Sequence, residues 1–387
     1  MITQLSIKKF KKFNELHVKD LERVNLIVGC NNTGKTTTLE SIMGFACGFD
    51  LASMLALSVW RRFPQVQNHN NMYISAEIMA NAFHVSNNND TLDLSFSFSG
   101  TVDGVEKRYR HHLDPGQLVS SLLSSGSNTI VDGTEIIHRQ VPMPLPIAPG
   151  SSITVDVPSQ YLGEWNVSSE EETLACKLST PLQFSQIENR KSLLSAKFHD
   201  FNSYRFEQEI SKVYGYLETN GTLEKFIREL NNSFPDIEVA DIVNIPYPDG
   251  SNAPIKIKFV NGNRHPLYAL GDGFRRWYEL LGGMLTFPKS VHCIEEADAT
   301  LHHQAQEGFA TNLLKYARKY DNQIFITTHS NEYLKSFLSA IEKNSNNDLK
   351  NSIRVITLRD YDGTVKYRTL DGKEALQAIR RGMELRI

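Results

Sequence analysis

The sequence predicts an α/β protein whose core is a parallel sheet flanked by helices, and three observations support that reading. An apolar run, Val24-Asn25-Leu26-Ile27-Val28, leads into a glycine-bounded turn and then into Thr37-Thr38-Leu39-Glu40-Ser41-Ile42-Met43, which makes a strand–turn–helix unit. The last third alternates helix and strand: helix at about 272–286, strand Val291–Ile294, helix at about 301–320, strand Ile324–Thr327, helix at about 331–343 and strand Ile353–Leu358. Parallel strands joined by crossover helices produce that alternation. In between, Leu92, Leu94, Phe96 and Phe98 are apolar at period two, the pattern of strands buried on one face.

Taken in order, residues 1 to about 28 read as a strand hairpin followed by the strand that enters the glycine turn. The helix after that turn is expected to break near Gly44–Gly48 and resume to about Arg62. Gly100–Gly104 is a turn and Val105–His111 a return strand. Residues 114–180 are rich in Ser, Pro and Gly, and Pro142, Pro144, Pro146 and Pro149 mark a loop. From about 190 to 232 the apolar spacing turns helical, through Leu193, Leu194 and Phe198, then Ile210, Val213 and Leu217, then Leu223, Phe226 and Leu230. No heptad is sustained, so this is not a long coiled coil. Strands are expected again at Ile237–Val239 and Ile255–Val260.

The 387 residues exceed what one phosphate-loop core needs. They divide into an N-terminal lobe (1–64), an insertion of antiparallel strands, Pro/Ser-rich loop and helical arm (65–254), and a C-terminal lobe (255–387). A net charge of −3 argues against a large surface that coats nucleic acid. Cys30, Cys47, Cys176 and Cys293 form no C-x-x-C pair and read as reduced packing thiols of a cytoplasmic protein. Met1 runs directly into strand-like residues without a signal peptide, and no apolar run is long enough for a bilayer.

The glycine turn is Gly29-Cys30-Asn31-Asn32-Thr33-Gly34-Lys35-Thr36, spelling G-x-x-x-x-G-K-T. Glycines let successive backbone N–H groups face a polyphosphate, and the following helix adds its positive end. Lys35 is expected at the β- and γ-phosphates and the Thr36 hydroxyl on Mg²⁺, with Gly29, Asn31, Asn32, Thr33, Gly34 and Thr37 completing the ATP cradle. Val291–Ile294 ends in Glu295-Glu296; Glu295 is assigned to Mg²⁺ and Glu296 to the attacking water. Adjacent residues on a strand point to opposite faces, so the strand must end and turn there for both acids to serve one ligand. Ile324–Thr327 delivers His329 at its C-terminal edge, where α/β sheets bind ligands; the alternative is a histidine that caps the next helix. Leu270-Gly271-Asp272-Gly273-Phe274-Arg275-Arg276 is a glycine turn that starts a helix.

The order G-x-x-x-x-G-K-T, L-G-D-G-F-R-R, I-E-E-A-D-A-T-L-H-H, T-T-H-S resembles the ABC-type ATPases of the OLD, RecF and SMC group, and within it the OLD-like branch. The resemblance covers residues 1–60 and 255–345. It implies an ABC-type P-loop NTPase head in which Gly271, Asp272 and Gly273 close over the nucleotide of a second copy. Glu296, His329 and Lys35 would be the catalytic residues. Three positions depart from the family pattern: Gly271 replaces the signature serine, and Ala297 and His303 replace prolines. Gln65 and Gln67 are the candidates for the family's Q-loop glutamine. Asp360-Tyr361-Asp362 has the spelling of a TOPRIM metal motif, but Asp362-Gly363 reads more simply as a hairpin turn, leaving an ATPase without a nuclease.

The resemblance further implies a homo-oligomer assembled through ATP, acting as sensor or regulator of a separately encoded nuclease or toxin in bacterial anti-phage defence, with nucleic acid or a phage protein as trigger. The alternatives are a RecF-like clamp on duplex DNA and a low-turnover ATP-bound scaffold. Lys8, Lys9, Lys11 and Lys12 read as a solvated edge cluster or as a border of the adenine pocket. His111-His112 and His302-His303 have no third ligand at zinc spacing, and Arg380, Arg381 and Arg386 read as a solvated end.

Overall fold

The computed structural model describes residues 1–51, 53–54, 94–117, 120, 161–179, 191–234, 236–245, 247–248, 253–299, 303–343 and 351–386. The central sheet has six strands in the order β15-β14-β3-β13-β12-β8. Its middle strand, β3 (Val24–Gly29), is buried throughout and is parallel to β13 (Gln323–Thr327) on one side and β14 (Ile353–Tyr361) on the other. β12 (Val291–Ile294) continues the parallel set next to β13. Strands buried on both faces read as continuous apolar runs, which is how these were found in the sequence. β14 turns back into β15 (Thr364–Asp371) through Asp362 (φ 50°) and Gly363 (φ 85°), the left-handed pair of a tight hairpin. Asp360-Tyr361-Asp362 is therefore hairpin, as the spelling Asp-Gly predicted.

Side chains alternate across this sheet and feed two cores. On one face Val24, Leu26, Val28, Ile324, Ile326, Ile353 and Val355 pack under α4 (Asp272–Thr286), α5 (His303–Lys319) and α6 (Asn331–Lys343). On the other face Ile27, Phe325, Ile356 and Leu358 pack with Leu39, Ile42 and Phe45 of α1 (Lys35–Cys47) and with a second sheet. That sheet is antiparallel, in the order β2-β1-β4-β5-β6-β7. The order joins the N-terminal hairpin, β1 (Ile2–Phe10) and β2 (Phe13–Val18), to β4 (Ser95–Val102), β5 (Val105–Pro115), β6 (Tyr161–Ser168) and β7 (Thr173–Ser179). Phe10, Phe96, Phe98, His111 and Trp165 make its aromatic centre; His111 lies flat on Phe96 at 4.5 Å and accepts from the Trp165 indole N–H.

The described parts of 65–254 are thus woven into the molecule at three places, through β4–β7 in the antiparallel sheet, β8 in the parallel one and a strand of the small third sheet. The helical reading of Leu193, Leu194 and Phe198 is corrected here. Phe198 lies on β8 (Ala196–His199), parallel to β12, and among the described residues of that stretch the α-helices are α2 (Glu207–Thr219) and α3 (Leu223–Ser233), preceded by one 3₁₀ turn at Ser203–Arg205. Four strand residues give no resolvable period, so the flanking leucines simulated a helical face. The strand expected at Ile237–Val239 begins where that range ends: β9 is Val239–Val243, in a small sheet with β10 (Lys256–Phe259) and β11 (Arg264–Pro266). Continuation of the first helix to Arg62, the loop around Pro142–Pro149, and Gln65 and Gln67 lie outside the described residues. Among the described residues no helix is long and apolar enough to cross a membrane.

Where α4 meets β8 and β12, a polar chain is fully buried. His199 Nδ1 lies 2.6 Å from Glu279 Oε1, His199 Nε2 lies 2.9 Å from His292 Nδ1, and Arg276 Nη1 lies 3.2 Å from Glu279 Oε2. Glu279 stays a carboxylate against the pull of burial because the His199 N–H and the Arg276 guanidinium face it. Burial pushes both histidines down, His292 to about 3, and does the same to His111. A histidine kept neutral in the fold takes up its proton only on unfolding, so the unfolded chain binds more protons between pH 6.5 and about 3. Stability is therefore expected to fall as pH drops below 6.5, by up to about 1.4 kcal/mol per pH unit per histidine. Denaturant unfolding at pH 7 and pH 5 should show the loss, with a shallower slope for His292→Asn.

Candidate functional site

β3 ends at Gly29 and the chain folds back over its own edge before α1 begins. Gly29 is required by space: a Cβ there would stand 2.5 Å from the Leu358 carbonyl oxygen and 2.7 Å from Thr33 Oγ1. Gly34 is required by both space and backbone, with φ 91° and a Cβ position 2.7 Å from the Phe13 ring. Between them Asn32 is also left-handed at φ 59°. The resulting loop closes on Lys35, whose Nζ donates to Gly29 O at 2.9 Å and Cys30 O at 2.7 Å. Burial pushes this ammonium down to about 8; nearby Cys30 and Glu296 pull it up and Arg386 pushes it further down. Thr33 is tied within the loop, its hydroxyl donating to Cys30 O at 2.9 Å.

The first residue past Lys35 meets the acidic strand. Thr36 Oγ1 donates to Glu295 Oε1 at 2.6 Å. Two hard oxygens on an octahedral Mg²⁺ stand about 2.9 Å apart when adjacent, so this pair is spaced as neighbouring donors to that ion would be. Bound there, Mg²⁺ would supply charge neutralisation of the phosphates. β12 stops at Ile294, and Glu296 takes φ 45°, the break that lets both acids serve one end of the sheet. The turn is pinned to β13, with Glu296 N donating to Thr327 Oγ1 at 3.0 Å and Ala297 N to Thr327 O at 3.2 Å. Glu296 Oε1 lies 3.1 Å from His329 Nε2, and both side chains are partly open to solvent.

His329 does not cap α6. Ser330 does, accepting from Tyr333 N at 3.0 Å, and the imidazole is left to Glu296. At the start of α4, Asp272 faces Arg205 and Arg275, each at 3.1 Å, and accepts from the Tyr204 hydroxyl; it does not turn to the P-loop. Gly271 is the residue before α4, with nothing within 4 Å of its Cβ position, as is also true of Gly308 and Gly215. Arg276 reaches across from α4 to donate to the Glu295 carbonyl at 3.1 Å, and to Ser203 Oγ at 3.0 Å.

Several readings change with the structure in view. Lys11 is half-buried and pairs with the buried Glu40 at 2.6 Å, and Lys12 bridges Asp360 at 2.6 Å and donates to the Asn32 carbonyl of the P-loop, so neither is a solvated edge lysine. Cys30 is exposed on the loop and is no packing thiol. Arg386 is no solvated end: it donates to the His329 carbonyl at 2.6 Å, and with Glu384, Gly29, Cys30, Asn31 and His329 it lines a cavity of about 400 Å³ beside the P-loop. Lys12 and Arg386 carry no local motif, and nothing in the L-G-D-G-F-R-R spelling says that Arg276 reaches the Glu295 carbonyl; only three-dimensional proximity marks these contacts. His302 lies outside the described residues.

A crystal structure of an SMC head bound to the C-winged-helix domain of ScpA superposes with a TM-score of 0.53 at 12% identity, over 97% of this chain and 99% of that one. The fold is that of an ABC-type P-loop ATPase head. A family model described as "AAA domain, putative AbiEii toxin, Type IV TA system" matches residues 144–335, a span that takes in the α4 loop, both acids and His329 but not the P-loop. A Helicobacter pylori (strain ATCC 700392 / 26695) protein named ATP/GTP phosphatase is 19% identical over 388 residues, 96% of each chain.

A lysine holds phosphate by its charge only when protonated. Mg-ATP affinity is expected to hold steady below pH 7.5 and to weaken above about 8, by up to tenfold per unit, until phosphate binding has lifted the lysine's own value as far as it can. Titration calorimetry across pH 6.5–9.5 (about 6.5 to 9.5 spans the transition) reads this directly, and Lys35→Met should show weak, pH-independent binding.

Proposed function

We propose that this chain hydrolyses ATP with Mg²⁺ and uses the cycle to open and close a dimer of heads. The observation that carries the reading is the meeting, at the C-terminal ends of neighbouring strands β3, β12 and β13, of Lys35, the Thr36–Glu295 pair and the Glu296–His329 pair. Phosphoryl transfer asks mainly for positioning and for charge placed where it develops. Lys35 and the loop amides hold the polyphosphate, and Thr36 and Glu295 hold Mg²⁺. Glu296 orients the attacking water and takes up its proton. His329, hydrogen-bonded to Glu296, fixes that carboxylate and reports the terminal phosphate. Gly271, Asp272 and Gly273, turned away from their own P-loop, serve the nucleotide of the second copy.

The buried contact from Arg276 to the Glu295 carbonyl joins the helix behind that loop to the acidic strand. Closure at one surface and geometry at the other then move together. The likeness to OLD-like ATPases, together with a family description that names a toxin of a toxin–antitoxin system, supports a defence role with a separately encoded nuclease or toxin as effector.

Glu296→Gln is expected to lower kcat by about 10²- to 10⁴-fold while Mg-ATP affinity stays within about threefold. Light scattering on that variant should show a doubled mass with Mg-ATP and none with ADP. Turnover unchanged by Glu296→Gln would remove the catalytic assignment, and a mass indifferent to ATP would remove the sandwich. For the defence role, cells carrying the locus with Lys35→Ala should lose protection against phage.

A further inference from the structure

We infer that Arg386 is a ligand of the terminal phosphate, supplied by the same chain, and that it makes the site selective for a triphosphate over a diphosphate. The inference rests on the nucleotide-site reading above and extends it to a residue that belongs to none of the recognised motifs.

Lys35 folds back along its loop to the carbonyls of Gly29 and Cys30, so the ammonium that reaches the β- and γ-phosphates stands at that end of the loop. The cavity of about 400 Å³ opens at the same end, bounded by Gly29, Cys30 and Asn31 on one side and by His329, Glu384 and Arg386 on the other. Arg386 therefore shares that space with Gly29, Cys30 and Asn31, the P-loop residues at the end to which Lys35 returns. A guanidinium on the wall of that space gives an anion beside the loop a second cationic partner.

The segment that carries Arg386 is built into the fold. Leu385 is buried in the helical core, and its carbonyl accepts from the Thr357 hydroxyl of β14 at 2.7 Å. The guanidinium is aimed by two neighbours: Nη1 donates to His329 O at 2.6 Å, and Nε donates to Glu384 Oε1 at 2.8 Å. Glu384 is itself held by Asn331 Nδ2 at 3.0 Å. Arg386 is thus tied to the backbone of the very histidine that pairs with Glu296, and remains one-third exposed toward the cavity. A planar guanidinium presents its donors as a fork that matches phosphate oxygens, which lysine does not. Glu384 serves as the carboxylate partner that the phosphate displaces.

The experiment compares binding of Mg-adenylyl imidodiphosphate and Mg-ADP to the full-length wild type, Arg386→Ala and Arg386→Lys by calorimetry. The expected result for Arg386→Ala is a loss of about 10- to 100-fold for the triphosphate and less than about threefold for ADP, with Arg386→Lys falling between. Retained ADP affinity shows that the variant is folded. An unchanged triphosphate-to-diphosphate ratio overturns the inference, whether both affinities hold or both fall, because Arg386 would then be only a tether of the His329 loop. A wild type that binds neither nucleotide defeats the nucleotide-site reading itself, a result distinct from either outcome of the Arg386 comparison.

Discussion

The return of Lys35 onto the carbonyls of Gly29 and Cys30 is the contact around which the site is organised. It closes the loop from within, and it demands glycine at both hinges, because Leu358 and Phe13 leave no room for a side chain. It also sets the electrostatics. A cation taken out of water looks for negative charge, and this one finds the carbonyl oxygens of Gly29 and Cys30 and the nearby Glu296, while Arg386 opposes it.

Much of this was legible in the sequence. The P-loop, the acidic strand end and Thr328-His329-Ser330 are short motifs whose chemistry depends on local spacing, and strands buried on both faces announce themselves as apolar runs. The Asp362-Gly363 hairpin followed from turn chemistry alone. What could not be read is equally specific. Phe198 was assigned to a helix because four strand residues carry no period of their own. Arg386 was assigned to solvent because nothing near it in the chain says that Thr357 and His329 lie alongside. Arg276 closes the L-G-D-G-F-R-R motif beside Arg275, and nothing in that spelling says that it is buried and Arg275 is not. Partnerships between residues tens to hundreds of positions apart leave no local trace.

The buried chain from Arg276 through Glu279 to His199 and His292 is costly by any solvation argument. Hydrophobic residues of the same size would pack there without that cost. What the polar version provides is directional: Arg276 donates at once to α4's own Glu279, to Ser203 and to the Glu295 carbonyl. A greasy contact tolerates sliding, whereas a set of hydrogen bonds in a dry interior has one good arrangement and a few poor ones. That property suits an interface whose two sides must keep register while the loop ahead of α4 changes its surroundings.

β3 contributes alternate side chains to two separate cores, one under the helices and one against the antiparallel sheet. The P-loop therefore hangs from a central strand that packs into both layers, as its neighbours β13 and β14 also do. Melting either layer would strip packing from the strand that carries the loop. A ligand held by that loop would in consequence be linked to the stability of both layers, a brace across the two halves as much as a fuel.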